Sequence, residues 1–216
     1  MRQGWITRKL GEVTTKIGSG ATPLGGEGAY KAEGLSLIRS LNVHDDGFRE
    51  AKLARIDAKQ ADRLSNVVVE PNDVLLNITG ASVARCCVVP NQHLPARVNQ
   101  HVSIIRPVKQ ILLPKFLHYM LISRDYKNRL LALGEDGGST RQAITKAQIQ
   151  EFEIEFPPSP NSSGLSACWT KRLRALPPPK PTPKRTSKTP APSSKATSNP
   201  SSPSAARGGR TNLSRN

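Results

Sequence analysis

After Glu155 the 216-residue chain has no acidic side chain at all. Residues 157–216 hold 11 bases, 12 of the 18 prolines, and neither Phe nor Tyr. A segment so poor in apolar volume cannot bury enough surface to offset its chain entropy, so it is expected to stay disordered. Residues 1–156 differ: they hold 21 bases and all 16 acids, a balance of +5 against +11 for the tail. That front part is long enough for one domain with a real core. Long apolar runs are also missing. No stretch reaches the roughly 18 apolar residues that a membrane-spanning helix needs, and the opening MRQGWITRKL lacks the apolar core of a signal peptide. Cysteine is scarce, three in all with Cys86 and Cys87 adjacent, which gives no disulfide framework. A reduced, cytoplasmic chain is the expectation.

The stretch from Gly137 to Pro158, GGSTRQAITKAQIQEFEIEFPP, organises what is present. Gly137-Gly138 opens a polar loop of Ser139, Thr140, Arg141 and Gln142. Thr145 and Gln148 have capping-box spacing and predict a short helix. Phe152, Ile154 and Phe156 alternate with Glu151, Glu153 and Glu155, the pattern of a half-buried strand. Pro157-Pro158 ends it. Upstream, Trp5, Leu10, Val13 and Ile17 suggest a short strand or turn, and Gly18 to Gly26 a long loop. Strands are expected over Leu35 to Val43, Val67 to Val69, Val74 to Ile78, Val83 to Val89 and Ser103 to Arg106. Asp57 and Gln60 predict a second short helix to about Leu64. One long helix is expected from Pro114, with proline in its first turn, to Leu133, closed by Gly134. Its polar side, Arg124, Lys127 and Arg129, reads as a solvated face. The sum is a single α+β domain of short strands with one long and two short helices.

Chemistry-bearing patterns are weak. The glycines of residues 18–26 fit neither the dinucleotide nor the P-loop spacing, so they read as a backbone turn. His44, Asp45 and Asp46 have no further ligand at matching spacing and read as a turn, not a metal site. Cys86 or Cys87 with His93, His101 or His118 could compose a nucleophile and base, but a cysteine inside VARCCVV reads first as a small buried hydrophobe. Asn99, Gln100 and His101 could read base edges or hold loop backbone. No helix-turn-helix or paired Cys/His finger is present.

Several motifs in order go further. Trp5, Leu10-Gly11, Gly18-Ser19-Gly20-Ala21-Thr22-Pro23, Leu37-Ile38-Arg39, Asn42-Val43 and Asp73 to Ser82 (DVLLNITGAS) are followed by Asn99-Gln100-His101-Val102, Gly138 to Gln142, and Phe152 to Pro158. Together they resemble a target-recognition domain from the specificity subunit of type I restriction–modification enzymes, over about residues 4–158. The resemblance implies a reader of double-stranded DNA with no catalytic residues, cofactor or metal of its own. It implies modification subunits that bring S-adenosylmethionine and methylate adenine, and restriction subunits that cleave. Base reading needs Asn or Gln for adenine edges and Arg for guanine edges, positioned by phosphate contacts. The candidates are Arg39, Asn42, Asn77, Thr79, Ser82, Asn99, Gln100, His101, Ser139, Thr140, Arg141 and Gln142.

Two departures from the family stand out. One recognition domain is present where the family has two, and the spacer helix expected after Pro158 is replaced by SPNSSGLSACWTKRLRALPPPKPTPK. Permitted codons for this run, read one base earlier, encode LPEQQR followed by IVGMLDEALEGIATAKANAE, a sequence of strong helix formers. A one-base frame displacement near Ser159 therefore accounts for the basic tail, residues 159–216, and for the missing helix. The competing reading is a basic protein whose tail binds nucleic acid non-specifically through charge.

Overall fold

The computed structural model describes residues 4–135 and 143–157. The elements begin with β1 (Ile6–Lys9), β2 (Thr14–Ser19), β3 (Leu35–Ile38), β4 (Val43–His44), β5 (Gly47–Phe48) and β6 (Ala54–Ile56). Helix α1 (Ala58–Asp62) precedes β7 (Val68–Val69), β8 (Val74–Asn77), β9 (Cys86–Val88), β10 (Ala96–Val98) and β11 (Val102–Pro107). Then follow α2 (Pro114–Ile122), α3 (Arg124–Glu135), α4 (Lys146–Glu151) and β12 (Glu153–Phe156). The class is α+β, as expected.

Two four-stranded sheets form the scaffold, in the orders β6-β3-β10-β7 and β2-β11-β8-β9. The second sheet is buried on both faces because its residues alternate between two cores. Val74, Leu76, Cys86 and Ile105 join Leu117, Leu121, Leu130 and Phe156 on the helical side. Leu75, Cys87, Val102 and Ile104 join Leu37, Ile38, Ile56 and Val98 from the first sheet. Period-two alternation thus produces layers of sheet, sheet and helices. The antiparallel pair β1 and β12, Ile6 opposite Phe156, brings the start of the domain beside its end.

Both predicted capping boxes are present. The Asp57 carboxylate accepts from Gln60 N at 2.8 Å, and Thr145 Oγ1 accepts from Gln148 N at 3.2 Å. The long helix is not continuous. Ser123 is extended (φ −63°, ψ 151°) and its hydroxyl donates to the Met120 carbonyl at 2.7 Å, which divides α2 from α3. Gly134 does not close the second piece; it lies buried within α3, which runs to Glu135. The strand expected over Leu35 to Val43 breaks into β3, a 3-10 turn at Ser40–Asn42, and β4. The strand expected from Val83 begins only at Cys86, because Ala84 takes φ +64°, outside the extended region. There the Asn77 backbone bonds both Ala84 N and Arg85 O, at 2.8 Å each, so two residues oppose one as in a bulge.

The predicted solvated face of the long helix holds at Arg124 and Arg129, which are exposed, and is corrected at Lys127. Lys127 is largely buried and bonds both Asp45 carboxylate oxygens, at 2.9 and 2.8 Å, and the Ala84 carbonyl. Arg129 lies 5.0 Å from the Tyr126 ring centroid and 4.8 Å from that of Phe152. A lysine leaves water only where a carboxylate and carbonyls replace its hydration, and Asp45 in the β4–β5 turn supplies the carboxylate.

Candidate nucleic-acid interface

The strands set the site by where they stop. Strands β3 and β10 run parallel, with Ile38 opposite Val98, so their following turns, Arg39–Asn42 and Asn99–His101, lie side by side. Strand β11 leaves the second turn and pairs Val102 with Asn77 at the end of β8, and Ser103 with Ser19 at the end of β2. Four strand ends and one strand start therefore share one edge of the scaffold. Most of the sequence-predicted residues that the structure describes are gathered there.

Three of them face inward. Asn42 is wholly buried; its amide donates to the Arg49 carbonyl at 2.8 Å and the Ala51 carbonyl at 3.3 Å, and its oxygen accepts from Arg39 N at 3.1 Å. Asn77 is wholly buried and donates to the Ser40 carbonyl at 2.9 Å and to Ser82 Oγ at 3.2 Å. Asn99 is 4% exposed and accepts from His101 N at 3.1 Å. A strand that ends loses its ladder partners, and buried polar backbone must find others. These three amides provide them, so they shape the turns from within.

The remaining described candidates reach the surface. Gln100 is exposed, and His101, Thr79, Ser82 and Arg39 are half-buried. Thr22 Oγ1 donates to Gln100 Oε1, Gln100 Nε2 lies 3.0 Å from His101 Nε2, and His101 Nδ1 lies 2.5 Å from Thr79 Oγ1. This chain of amide, imidazole and hydroxyl groups crosses from the β2 end to the β8 end. Leu41, 38% exposed, lines a groove with Arg39. Ser139, Thr140, Arg141 and Gln142 lie outside the described residues. Their neighbour Ala143 forms a bridge with Thr79, and Ile144 N donates to the Ile78 carbonyl at 2.8 Å.

Arg39 is the most constrained cation here. Its guanidinium donates to Glu27 Oε1 at 2.5 Å and to the Lys52 carbonyl at 2.8 Å, with its carbon 5.1 Å from the centroid of the Tyr30 ring. Sequence reasoning missed Thr22, in the glycine-rich loop read as a turn, and Glu27 and Tyr30, which follow that loop and drew no reading. No local pattern marks them; tertiary contact with Arg39 and Gln100 does.

The other chemical readings lose their geometry. Burial pushes the Cys87 thiol up to about 12 and raises Cys86 well above its ordinary value, opposing the thiolate that nucleophilic attack needs. His93 stacks on Phe48 with centroids 4.7 Å apart, and His118 Nε2 meets the Asp45 carbonyl at 3.2 Å. Burial lowers the His118 pKa. Among the described residues, no three His, Cys, Asp or Glu side chains could together hold a metal ion, and no helix is long and apolar enough to cross a membrane.

Paired sheets that gather amide, imidazole, hydroxyl and guanidinium groups at one edge define a recognition module with polar turns. The family is specific: residues 2–163 match the model of the type I restriction modification DNA specificity domain, and the chain belongs to that family. Solved structures agree on the fold. One chain, from work titled as the structural basis of complex assembly and conformational transition of the type I R-M system, aligns with a TM-score of 0.55 and 24% identity. The alignment covers 82% of this chain and 40% of that one. The HsdS subunit from Thermoanaerobacter tengcongensis gives 0.55 and 18%, covering 82% of this chain and 44% of its own. The S subunit of a type I system from M. genitalium gives 0.51 and 16%, over 77% and 37%. The chain thus spans about two fifths of the length of these solved chains. No curated protein matches it.

Proposed function

We propose that this chain reads one half of a split DNA target for a type I restriction–modification enzyme, and that chemistry is left to partner subunits. Membership of the DNA specificity family supports DNA as the ligand. The carrying observation is the hydrogen-bonded surface strip Thr22, Gln100, His101 and Thr79 at the converging strand ends. Gln pairs with adenine edges, and hydroxyls are donors and acceptors toward either base. Gln100, His101, Thr79, Ser82 and Arg39 are proposed as contacts, together with Ser139, Thr140, Arg141 and Gln142. Asn42, Asn77 and Asn99 contribute by holding the turns. The modification and restriction subunits are the proposed protein partners, in the cytoplasm, and the chain itself takes no cofactor.

The frame displacement near Ser159 bears on assembly. The domain proposed for residues 1–158 is followed by a basic tail, residues 159–216, in place of a spacer helix. The unmatched charge of that tail favours a second contribution, sequence-independent binding through phosphate neutralisation. Both are tested by comparing the chain as it stands, a version without residues 159–216, and a version with the helical frame restored. Removing the tail flattens the salt dependence of DNA binding, and restoring the frame recovers co-purification with modification subunits. If the unrestored chain assembles as well as the restored one, the spacer argument fails. Within the site, Gln100→Ala weakens binding by ~1–3 kcal/mol and relaxes preference at one base pair. Unchanged binding to every sequence would remove Gln100 from the interface.

A further inference from the structure

Arg39 is built as an anion receptor that the free protein closes with its own carboxylate. Three sides of the guanidinium meet no anion. The Tyr30 ring covers it at 5.1 Å, the Lys52 carbonyl accepts from Nη2 at 2.8 Å, and Nε is buried without a partner. Lys52 holds its carbonyl there from a left-handed conformation, φ +58°, that a residue with a side chain seldom adopts. The fourth side differs. Glu27 meets Nη1 at 2.5 Å, yet its side chain is 82% exposed, against 12% for Arg39. Glu27 sits on the turn Gly26–Ala29, entered through Gly25 and Gly26, both at positive φ.

The surrounding charge favours a stronger anion than one carboxylate. Lys31, Lys52 and Arg55 line the same open groove. Lys31 reaches only the partly exposed Asp57, at 3.6 Å, and Arg55 donates to the neutral Ser36 hydroxyl at 3.0 Å. The guanidinium fork has one open side, where Nη1 can donate to a phosphodiester oxygen in place of the carboxylate. An ion pair with one partner in water is weak, so exchange costs little.

We propose that Glu27 stands in for a DNA phosphate at Arg39, and that binding DNA exchanges the carboxylate for a backbone phosphodiester. The groove of Tyr30, Lys31, Arg39, Lys52 and Arg55 then carries one strand of the duplex beside the reading strip. Glu27 is a brake on sequence-independent binding, because only a strand seated in the groove repays its displacement. This inference rests on the DNA-reading proposal above.

The test uses the full chain and a labelled duplex of arbitrary sequence, with binding followed by fluorescence anisotropy at fixed salt. Glu27→Gln removes the competing charge and tightens binding about two- to fivefold, the equivalent of one exposed pair. The gain depends on Arg39: Glu27→Gln adds nothing in an Arg39→Gln background. Arg39→Gln removes a largely buried charge and the Nη2 donor to the Lys52 carbonyl. Arg39→Lys therefore serves as a second background; it keeps the charge without the fork, and the Glu27→Gln gain there is smaller than in the wild type. A gain of equal size with Arg39 replaced overturns the exchange and leaves a long-range charge effect. So does an absent gain in a wild-type chain that binds DNA, and in both cases the DNA-reading proposal survives. Absence of DNA binding by every version removes that proposal and this one together.

Discussion

Replacing Asn42 by alanine separates a residue that shapes the reading turn from one that touches a base. In the folded chain Asn42 is wholly buried and ties its own turn to the segment after β5 through the backbone of Arg39, Arg49 and Ala51. Alanine leaves one backbone N–H and two carbonyls without that partner. A buried group left unsatisfied costs ~1–3 kcal/mol. The 3.3 Å bond is long, and the flanking surface lets water reach part of the turn, so the sum is about 3 kcal/mol. For a domain of this size that lowers Tm by roughly 6–12 °C. Circular dichroism melts of the wild type and Asn42→Ala measure the shift, and anisotropy on a panel of duplexes measures recognition. The expected result is a lower Tm with weaker binding to every duplex, because the Arg39–Asn42 turn is disordered as a unit. A variant that melts with the wild type but loses preference at a single base pair would refute the reasoning and return Asn42 to the list of base contacts.

Two further perturbations probe the scaffold. A Cβ on Gly20 would stand 1.8 Å from the Val98 carbonyl oxygen and 2.9 Å from its carbon, so Gly20→Ala must move one strand end off another; a loss of about 3 kcal/mol is expected in chemical denaturation, and a stability equal to wild type would show that the strand ends are not in contact. Burial lowers the His118 pKa, so the unfolded chain binds that proton first as pH falls. Its stability contribution is complete above the ordinary histidine value of about 6.5 and is lost on acidification toward the lower folded value; His118→Gln should remove that slope from a urea-denaturation series across pH, and a slope that persists would place the proton elsewhere.

The parts of this fold legible in the sequence are those whose physics is local. Asp57 with Gln60, and Thr145 with Gln148, cap their helices reciprocally across three residues, so spacing alone declares them. Strand β12 is declared by Ile154 and Phe156 alternating with acids. The α2–α3 break was less visible, since the apolar positions continue through it while Ser123 quietly takes a carbonyl that the helix needed. Long-range pairings carry no local mark. Strands β3 and β10 pair in parallel across some sixty residues, and Lys127 finds Asp45 from 82 positions away. Of the site, the polar turns were legible as a set, but not which amides turn inward. Asn42 and Gln100 are similar in type; burial on the two sides of the same turn system distinguishes them.

That division has a consequence for how such a site changes its target. The inward amides of Asn42, Asn77 and Asn99 replace ladder bonds lost where strands end, so each is tied to the backbone of at least one other residue. Altering them alters the path of the chain. Gln100, His101 and Thr79 carry their polar side-chain atoms toward the surface or toward one another, whereas the Ser82 hydroxyl accepts from the buried Asn77 amide. If Gln100, His101 and Thr79 meet a base edge as proposed, substitution at those positions changes the pattern of donors and acceptors offered to it while the turn that carries them keeps its shape. On that proposal, recognition drifts at the surface strip without eroding stability, provided the three buried asparagines stay in place. On the proposed reading, a new target is best sought by varying Thr22, Thr79, Gln100 and His101 together, because the strip is one hydrogen-bonded chain and a change at one member re-aims its neighbour.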